Sequence, residues 1–381
     1  MGRFIGGIFG NTVPSAPTTG AGSAVWSQND QYYLSSENRW VLIEGMTATG
    51  GEATTTYTEP GGNSYKAHVW TSSGSLNVTA LASGLPNAIE YVVVAGGGGG
   101  SNQHAGAGGA GGYRSSVSGE NTGGPSPTIE STQDATVNTY PVTIGAGGAG
   151  STPGGNGSAP AGTQGSTTTF ALASPIASTG GGGSGNWNTN ASGATGGGSG
   201  GGSGSGKPTI FAGGEGTAGQ GYDGGSIDAT GCPTAPSMHA GGGGGGAGAA
   251  GGNSIADTPH PAPSSARVLT GQGGIGEKTL IMGPTNTAYG TPGPATGRYF
   301  AGGGTSAWYY TDGGDPQPSP LPGGAGGGGG GIIGPAPTTA GEAATTNTGG
   351  GGGSCVNWNN NGGSGGSGIV MCRYRIDPGQ V

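Results

Sequence analysis

At Ile89-Glu90-Tyr91-Val92-Val93-Val94-Ala95 a run of strand-forming residues passes straight into five glycines, Gly96 to Gly100. Val, Ile and Tyr suit a pleated, half-buried surface, so the first half reads as a β-strand. The second half has no side chains. It is either unstructured or packed through its backbone, and which of the two holds decides the fold. The junction recurs in other forms along the chain, which carries 100 Gly and 26 Pro in 381 residues. Aperiodic Gly and Pro at about a third of a chain ordinarily mark low complexity, and no Gly-X-Y register is kept, which excludes collagen.

Three features argue against a slack Gly/Ser linker. The runs are interrupted by Ile, Phe, Tyr and Trp. They are bracketed by strands at both ends of a long insert. Their total length also far exceeds the ~15 residues at which structureless loops become rare. The alternative is polyglycine-II segments lying side by side. Such a helix has three residues per turn and no internal hydrogen bonds, and without Cβ atoms neighbours can approach closely enough to pair N–H with C=O. Ordering glycine costs on the order of 1–2 kcal/mol per residue, so only near-complete pairing of backbone groups can offset it.

Taken in order, residues 1–46 are dense in large apolar groups, beginning with Phe4, Ile5, Ile8 and Phe9. They are too few to fold alone and read as an arm for attachment or subunit docking, or as a first strand pair on their own domain. Residues 47–376 read as a β-domain with glycine-rich insertions, mainly 96–136 and 145–368, and 377–381 as a tail. Strands are expected at Thr54–Thr58, Tyr65–Trp70, Leu76–Leu81, Ile89–Val94 and Tyr140–Ile144, with Pro141 placing the last at an edge or a strand start. A final strand, Ile369–Ile376, presents Val370, Cys372, Tyr374 and Ile376 on its more apolar face. Two chunks echo each other, Ile210-Phe211-Ala212-Gly213-Gly214 and Tyr299-Phe300-Ala301-Gly302-Gly303, which suggests repeated structural use. No window escapes Gly, Pro or β-branched clusters well enough to make a helix.

Charge narrows the function classes. The net charge is −8 and ten Lys and Arg are scattered, which disfavours nucleic-acid binding. No apolar run is long enough to span a membrane, and the N-terminus lacks the apolar stretch of a signal peptide. Cys232, Cys355 and Cys372 have no metal-ligand spacing; a Cys355–Cys372 bridge and three free thiols are both open. His68, His104, His239 and His260 share no ligand pattern. Gly145-Ala146-Gly147-Gly148-Ala149-Gly150 matches a dinucleotide fingerprint in letters, but Pro153 and the glycines after it rule out the helix that fingerprint needs. The run ending at Lys207 fails as a phosphate loop because Pro208 stands where Ser or Thr must be. Asp312 and Asp315 read as turn acids. No catalytic residue, metal site or cofactor is expected, and the chain reads as a non-enzyme. Asn77-Val78-Thr79 and Asn190-Ala191-Ser192 match a glycosylation sequon that the lack of a signal peptide makes coincidental.

The interruptions that stand out are aromatic and Asn-rich: Trp187 and Asn188; Trp308, Tyr309 and Tyr310; Asn357, Trp358 and Asn359. Each lies between glycine segments, so each is expected in a loop at a bundle end. There, rigid aromatics beside amides can stack on sugar rings and bond hydroxyls, or simply cap the bundle.

The order of strand, polyglycine, Tyr140-Pro141-Val142-Thr143-Ile144-Gly145 and terminal Gly368-Ile369-Val370-Met371-Cys372-Arg373-Tyr374 resembles the glycine-rich domain of bacteriophage tail-fibre and adhesin proteins, notably of phages infecting cyanobacteria and other marine bacteria. The start, Met1-Gly2-Arg3-Phe4-Ile5-Gly6-Gly7, looks like the short arm such proteins share. The resemblance implies a jelly-roll-like (TNF-like) antiparallel β-sandwich carrying a polyglycine-II bundle, essentially without α-helix. It also implies a virion protein of the tail or fibre, made in the host cytoplasm, with a homotrimer as the default expectation. Its implied partners are other tail proteins through the arm, and a host cell-surface glycan or outer-membrane protein through the loops. A purely structural virion role and a surface-polysaccharide depolymerase are the competing expectations.

Overall fold

The computed structural model describes residues 44–103, 105–126, 128–154, 160–186, 194–204, 212–228, 241–255, 271–307, 320–332 and 339–376. Among them there is no helix; the architecture is mainly β, with antiparallel sheets. One sheet orders β1 (Thr47–Thr49), β4 (Gly74–Ala80), β8 (Asn138–Thr143), β9 (Thr168–Phe170) and β10 (Ile176–Ser178). The second orders β2 (Ala53–Thr58), β3 (Ser64–Trp70), β15 (Ile369–Ile376), β5 (Ala88–Val94) and β6 (Tyr113–Ser115), with β7 (Gln133–Asp134) also pairing β5. Two short pairs stand apart, β11 (Ile227–Asp228) with β12 (Ser254–Ile255) and β13 (Glu277–Thr279) with β14 (Arg298–Phe300).

The two large sheets lie face to face over one core. Ala48, Leu76, Val78, Tyr140, Val142, Phe170 and Ile176 meet Trp70, Ile89, Tyr91, Val93 and the even-numbered face of β15, namely Val370, Cys372, Tyr374 and Ile376. The alternation of these strands is what puts their apolar residues on one face. Trp70 and Phe170 bring their ring centroids to 5.9 Å across the core. His68 is fully buried there; its Nδ1 lies 2.7 Å from the Gly50 carbonyl oxygen and its Nε2 3.3 Å from the Tyr374 hydroxyl.

The second sheet is also apolar on its other face, because the glycine-rich insert covers it. Ala67, Val69, Val92, Val94, Ile369 and Met371 pack against Tyr113, Ile281, Met282, Phe300 and Ala301. A sheet covered on both faces reads as a near-continuous hydrophobic run, which is why β5 ends in Val92-Val93-Val94. The odd-numbered face of β15 is therefore buried too, its charge neutralised within the protein. Arg373 Nε donates to Glu90 Oε2 at 2.5 Å, and its Nη1 donates to Glu59 Oε1 at 2.6 Å and to the Tyr57 hydroxyl at 2.8 Å. Its guanidinium carbon also stands 4.2 Å from the Tyr65 ring centroid.

One sequence expectation needs correction, and one open question is answered. β8 is not an edge strand, since it lies between β4 and β9. β9 pairs only with Val142 and Thr143, and Pro141 contributes its carbonyl, which accepts the Ala171 N–H at 2.9 Å. A bridge between Cys355 and Cys372 is not formed, because both are free and buried; Cys372 sits in the sandwich core, while Cys355 follows a glycine run. Cys232 lies outside the described residues, as do Ile210 and Phe211.

Beyond the strands the glycine segments form a hydrogen-bonded bundle. The segment 96–101 shows the rule. Gly96 and Gly99 donate to Ser166 and Thr163, Gly97 and Gly100 to Gly366 and Gly363, and Gly98 and Ser101 to Gly109 and Gly106. The carbonyls follow suit. Those of Gly96 and Gly99 accept from Gly181 and Ser184, those of Gly97 and Gly100 from Gly148 and Ser151, and those of Gly98 and Ser101 from Gly352 and Cys355. Each neighbour recurs every third residue, which is the period of a polyglycine-II helix. The segment thus has six neighbours, three antiparallel ones that accept from it and three parallel ones that donate to it. Segment 241–247 repeats the pattern, donating to 203 and 200, to 252 and 249, and to 304 and 301. The letter match to a dinucleotide fingerprint, Gly145–Gly150, is one of these bundle segments.

Glycine is required here for its size. A Cβ added at Gly97, Gly98 or Gly99 would come closer than 3.0 Å to the backbone carbonyl of Gly350, Gly182 or Ala149. Side chains inside the bundle are accordingly small: Ala107, Ala110, Ser199 and Ser203 are all fully buried.

Candidate functional site at the far end of the bundle

The direction of each segment fixes which residues gather where. Segment 96–101 leaves the sandwich from β5 and runs outward. Segments 148–151, 181–184 and 352–355 run parallel to it, so they too run outward. Segments 106–109, 163–166 and 363–366 run antiparallel and return, two of them directly into β6 and β9 and the third into β15. Segment 241–247 runs parallel to returning 107–110, and segments 222–225, 249–252 and 301–304 run antiparallel to it, hence outward. The outward segments end at a common pole, where the chain turns back.

The opposite pole carries the described ends of the chain. β15 finishes with Ile376 paired to Ser64, the residue of β3 most remote from the glycine segments. β1 pairs Thr47 with Ala80, and Glu44 bridges Ser83 just beyond. Residues 1–43, with the attachment candidates Phe4, Ile5, Ile8 and Phe9, lie outside the described residues. They join the fold at this pole, through Glu44.

At the far pole one of the three aromatic–Asn clusters is described. Outward segment 349–355 gives way to Val356–Asn361 before Gly362 starts back. The Asn359 N–H donates to Asn357 Oδ1 at 2.9 Å, a local side-chain turn that Asn favours, and Trp358 stands 46% exposed. The loop is held from beneath. Asn102 Nδ2 donates to the Asn360 carbonyl at 2.9 Å and to the Thr152 carbonyl at 3.2 Å. Asn360 Nδ2 donates to the Thr339 carbonyl at 3.1 Å. The Cys355 thiol lies 3.5 Å from the Asn357 carbonyl and 3.4 Å from that of Asn361; burial pushes this thiol up, keeping it a protonated donor. Gln103, with φ 56°, reaches the Gly154 carbonyl through Nε2 at 3.1 Å.

The structure thus places Asn357, Trp358 and Asn359 together at the pole. Trp187, Asn188, Trp308, Tyr309 and Tyr310 lie outside the described residues; the residues before them, Asn186 and Ala307, end outward segments. Sequence reasoning missed Asn102 and Gln103, both buried. The available signal was their position, as the first amide side chains after the run Gly96 to Gly100, where an outward segment must stop. The described side chains of the site are amides, hydroxyls, a thiol and one exposed indole. Such a set can stack on a flat apolar face and exchange hydrogen bonds with hydroxyl or amide groups. Among the described residues no group of three or more His, Cys, Asp or Glu could hold a metal ion, and no helix is long and apolar enough to cross a membrane.

A family model described as "Glycine-rich domain" matches residues 71–375. That span takes in the sandwich from the end of β3 onward and the whole of the described bundle. No curated protein matches the chain.

Proposed function

We propose that this chain, which belongs to the glycine-rich domain family, is a bacteriophage virion protein, a tail-fibre component whose far pole touches the host surface and whose N-terminal arm joins other tail proteins. The observation that carries the reading is the polarity of the molecule: the chain enters at Glu44 on one pole, and the Trp358 loop is held at the other. The bundle between them separates docking from contact. A five-step run at about 3.1 Å per residue spaces the sandwich from the pole by roughly 16 Å. Multiple hydrogen-bonded neighbours make that spacer stiff. The resemblance of the first seven residues to the shared arm of phage fibre proteins supports the attachment end. The exposed indole beside Asn357 and Asn359 supports a saccharide or protein surface as the contact.

The test has two arms. Labelled antibody against the protein is applied to purified particles, and labelled protein is applied to cyanobacterial and other marine bacterial cells. Label at the tail together with cell binding that the Trp358→Ala variant loses is the expected result. Tail label with no cell binding would reduce the protein to a structural fibre segment. No label on particles would overturn the reading.

A further inference from the structure

Glu120 lies in the turn after β6, where its N–H donates to the Val117 carbonyl at 3.1 Å. Its Oε1 accepts the Leu280 N–H at 2.6 Å. Its Oε2 is buried without a hydrogen-bond partner. Leu280 follows β13 and leads into Ile281 and Met282, which seal the outer face of the second sheet. The Ile281 carbonyl in turn accepts the Tyr57 hydroxyl at 2.9 Å. Segment 277–283 is therefore fastened to the second sheet and the turn after β6 by three polar contacts, the third from the Tyr113 hydroxyl to the Lys278 carbonyl at 3.5 Å, and the one from Glu120 ends in a carboxyl with an unpaired oxygen.

The charged surroundings do not favour a second negative charge there. Arg373 of β15 is already engaged by Glu59 and Glu90. Glu90 of β5 also accepts the Ser118 N–H at 3.1 Å, two residues before Glu120. Tyr57 of β2 occupies Arg373 further. The Tyr113 phenol of β6 feels both Glu120 and Glu277 of β13, and Glu277 is offset by its neighbour Lys278. An ionised Glu120 would be a third carboxylate around one committed guanidinium, with one oxygen away from water and only the Thr279 hydroxyl near enough to act on it, so most of the cost of desolvating that atom stands.

We propose that Glu120 is a proton-operated latch: neutral Glu120 keeps segment 277–283 seated on the second sheet, and its ionisation, with the proton passing to solvent, releases that segment. Burial pushes its carboxyl up to about 7, with Glu90 acting in the same direction and the Leu280 N–H, the Thr279 hydroxyl and Arg373 against it. Once the segment lifts, the carboxyl returns to its ordinary value of 4.5. Between the two values the seated form loses up to about tenfold in its favour per pH unit.

The experiment is amide hydrogen exchange at Leu280, Ile281 and Met282 in the full chain, corrected for intrinsic rates, from about pH 5 to about pH 8. Wild-type protection should fall on the order of 100-fold across this range, while β15 amides keep theirs. In Glu120→Gln, which cannot ionise, protection should be flat. Wild-type protection that does not change with pH, or the same slope in Glu120→Gln, overturns the proposal. The wild-type arm decides the matter even if the variant fails to fold.

Discussion

Gly97 donates its N–H to the Gly366 carbonyl at 2.9 Å, joining the outward segment after β5 to the segment that returns into β15. Three residues on, Gly100 does the same to Gly363 at 2.9 Å. These two segments continue strands that are themselves paired, with Val94 opposite Ile369. The bundle is thus an extension of the sheet in which each segment has neighbours all round instead of on two sides. Each such bond is worth only about 0.5–1.5 kcal/mol net, no more than the cost of ordering a glycine. The bundle holds only where pairing is nearly complete.

A methyl group inside this lattice has nowhere to go. Gly97→Ala would drive Cβ into the Gly350 carbonyl, where only backbone can yield. We expect a loss of about 1–3 kcal/mol or more, read as a lowered denaturation midpoint. Gly61→Ala is the control, because nothing lies within 4 Å of its added Cβ, and its midpoint should stay near wild type.

Arg373 is the cation of a buried charge cluster, its side chain 4% exposed. Removing it in Arg373→Met strands Glu90, itself 13% exposed. Breaking a buried pair from one side costs about 3–5 kcal/mol, and chemical denaturation should show a loss of that order. Adding Glu90→Gln to the same chain should restore part of it, because the uncompensated charge is then gone.

His68 gives the acid side of the pH profile. Burial lowers its pKa below 6.5, with Lys66 acting in the same direction and the Gly50 carbonyl opposing. The tautomer that suits both partners carries the proton on Nδ1 for the Gly50 carbonyl and accepts at Nε2 from Tyr374. The unfolded chain takes up a proton as the pH drops through 6.5, and the folded chain resists until its own lower value. This contribution is complete above pH 6.5 and is lost as the pH falls toward the folded pKa. Denaturation midpoints across that window should therefore drop more steeply for wild type than for His68→Gln. An imidazole proton resonance that titrates at the ordinary value would contradict this.

The far pole separates contact from support. Trp358→Ala removes an exposed indole and should leave the melting temperature within the range of a neutral surface change, about 0.5 kcal/mol, while host-cell binding falls. Asn102→Ala removes two hydrogen bonds made by a buried side chain and should cost on the order of 1–3 kcal/mol. It should also loosen the Trp358 loop, read as faster amide exchange at Asn359 and Asn360.

The large strands were legible because period-2 alternation survives in them: β3, β5 and β15 fall where Tyr65–Trp70, Ile89–Val94 and Ile369–Ile376 place them. The even-numbered face of β15 was read correctly as core. Its odd-numbered face was not, because nothing local says that a glycine insert covers a sheet or that Arg373 finds two carboxylates from β5 and the turn after β2. The short strands β6, β9, β10, β13 and β14 are three residues each, too brief for any period to show. Polyglycine runs announce backbone packing in general terms. They cannot say that Gly98 meets Gly109 and Gly352, since every glycine offers the same two groups. That register is set by the strands at the segment ends. Trp358 stood out as an aromatic among glycines, whereas Asn102, which holds its loop, looks like any polar residue at a run's end.

The most direct measurement is residue-level amide hydrogen exchange at Gly96 to Ser101, compared with Val92 to Val94 in the strand that precedes them. The bundle described here gives these glycines protection comparable to that of the strand, because each N–H is bonded within a shell of six neighbours. Exchange at the rate of an unstructured peptide, while Val92 to Val94 stay protected, would contradict it.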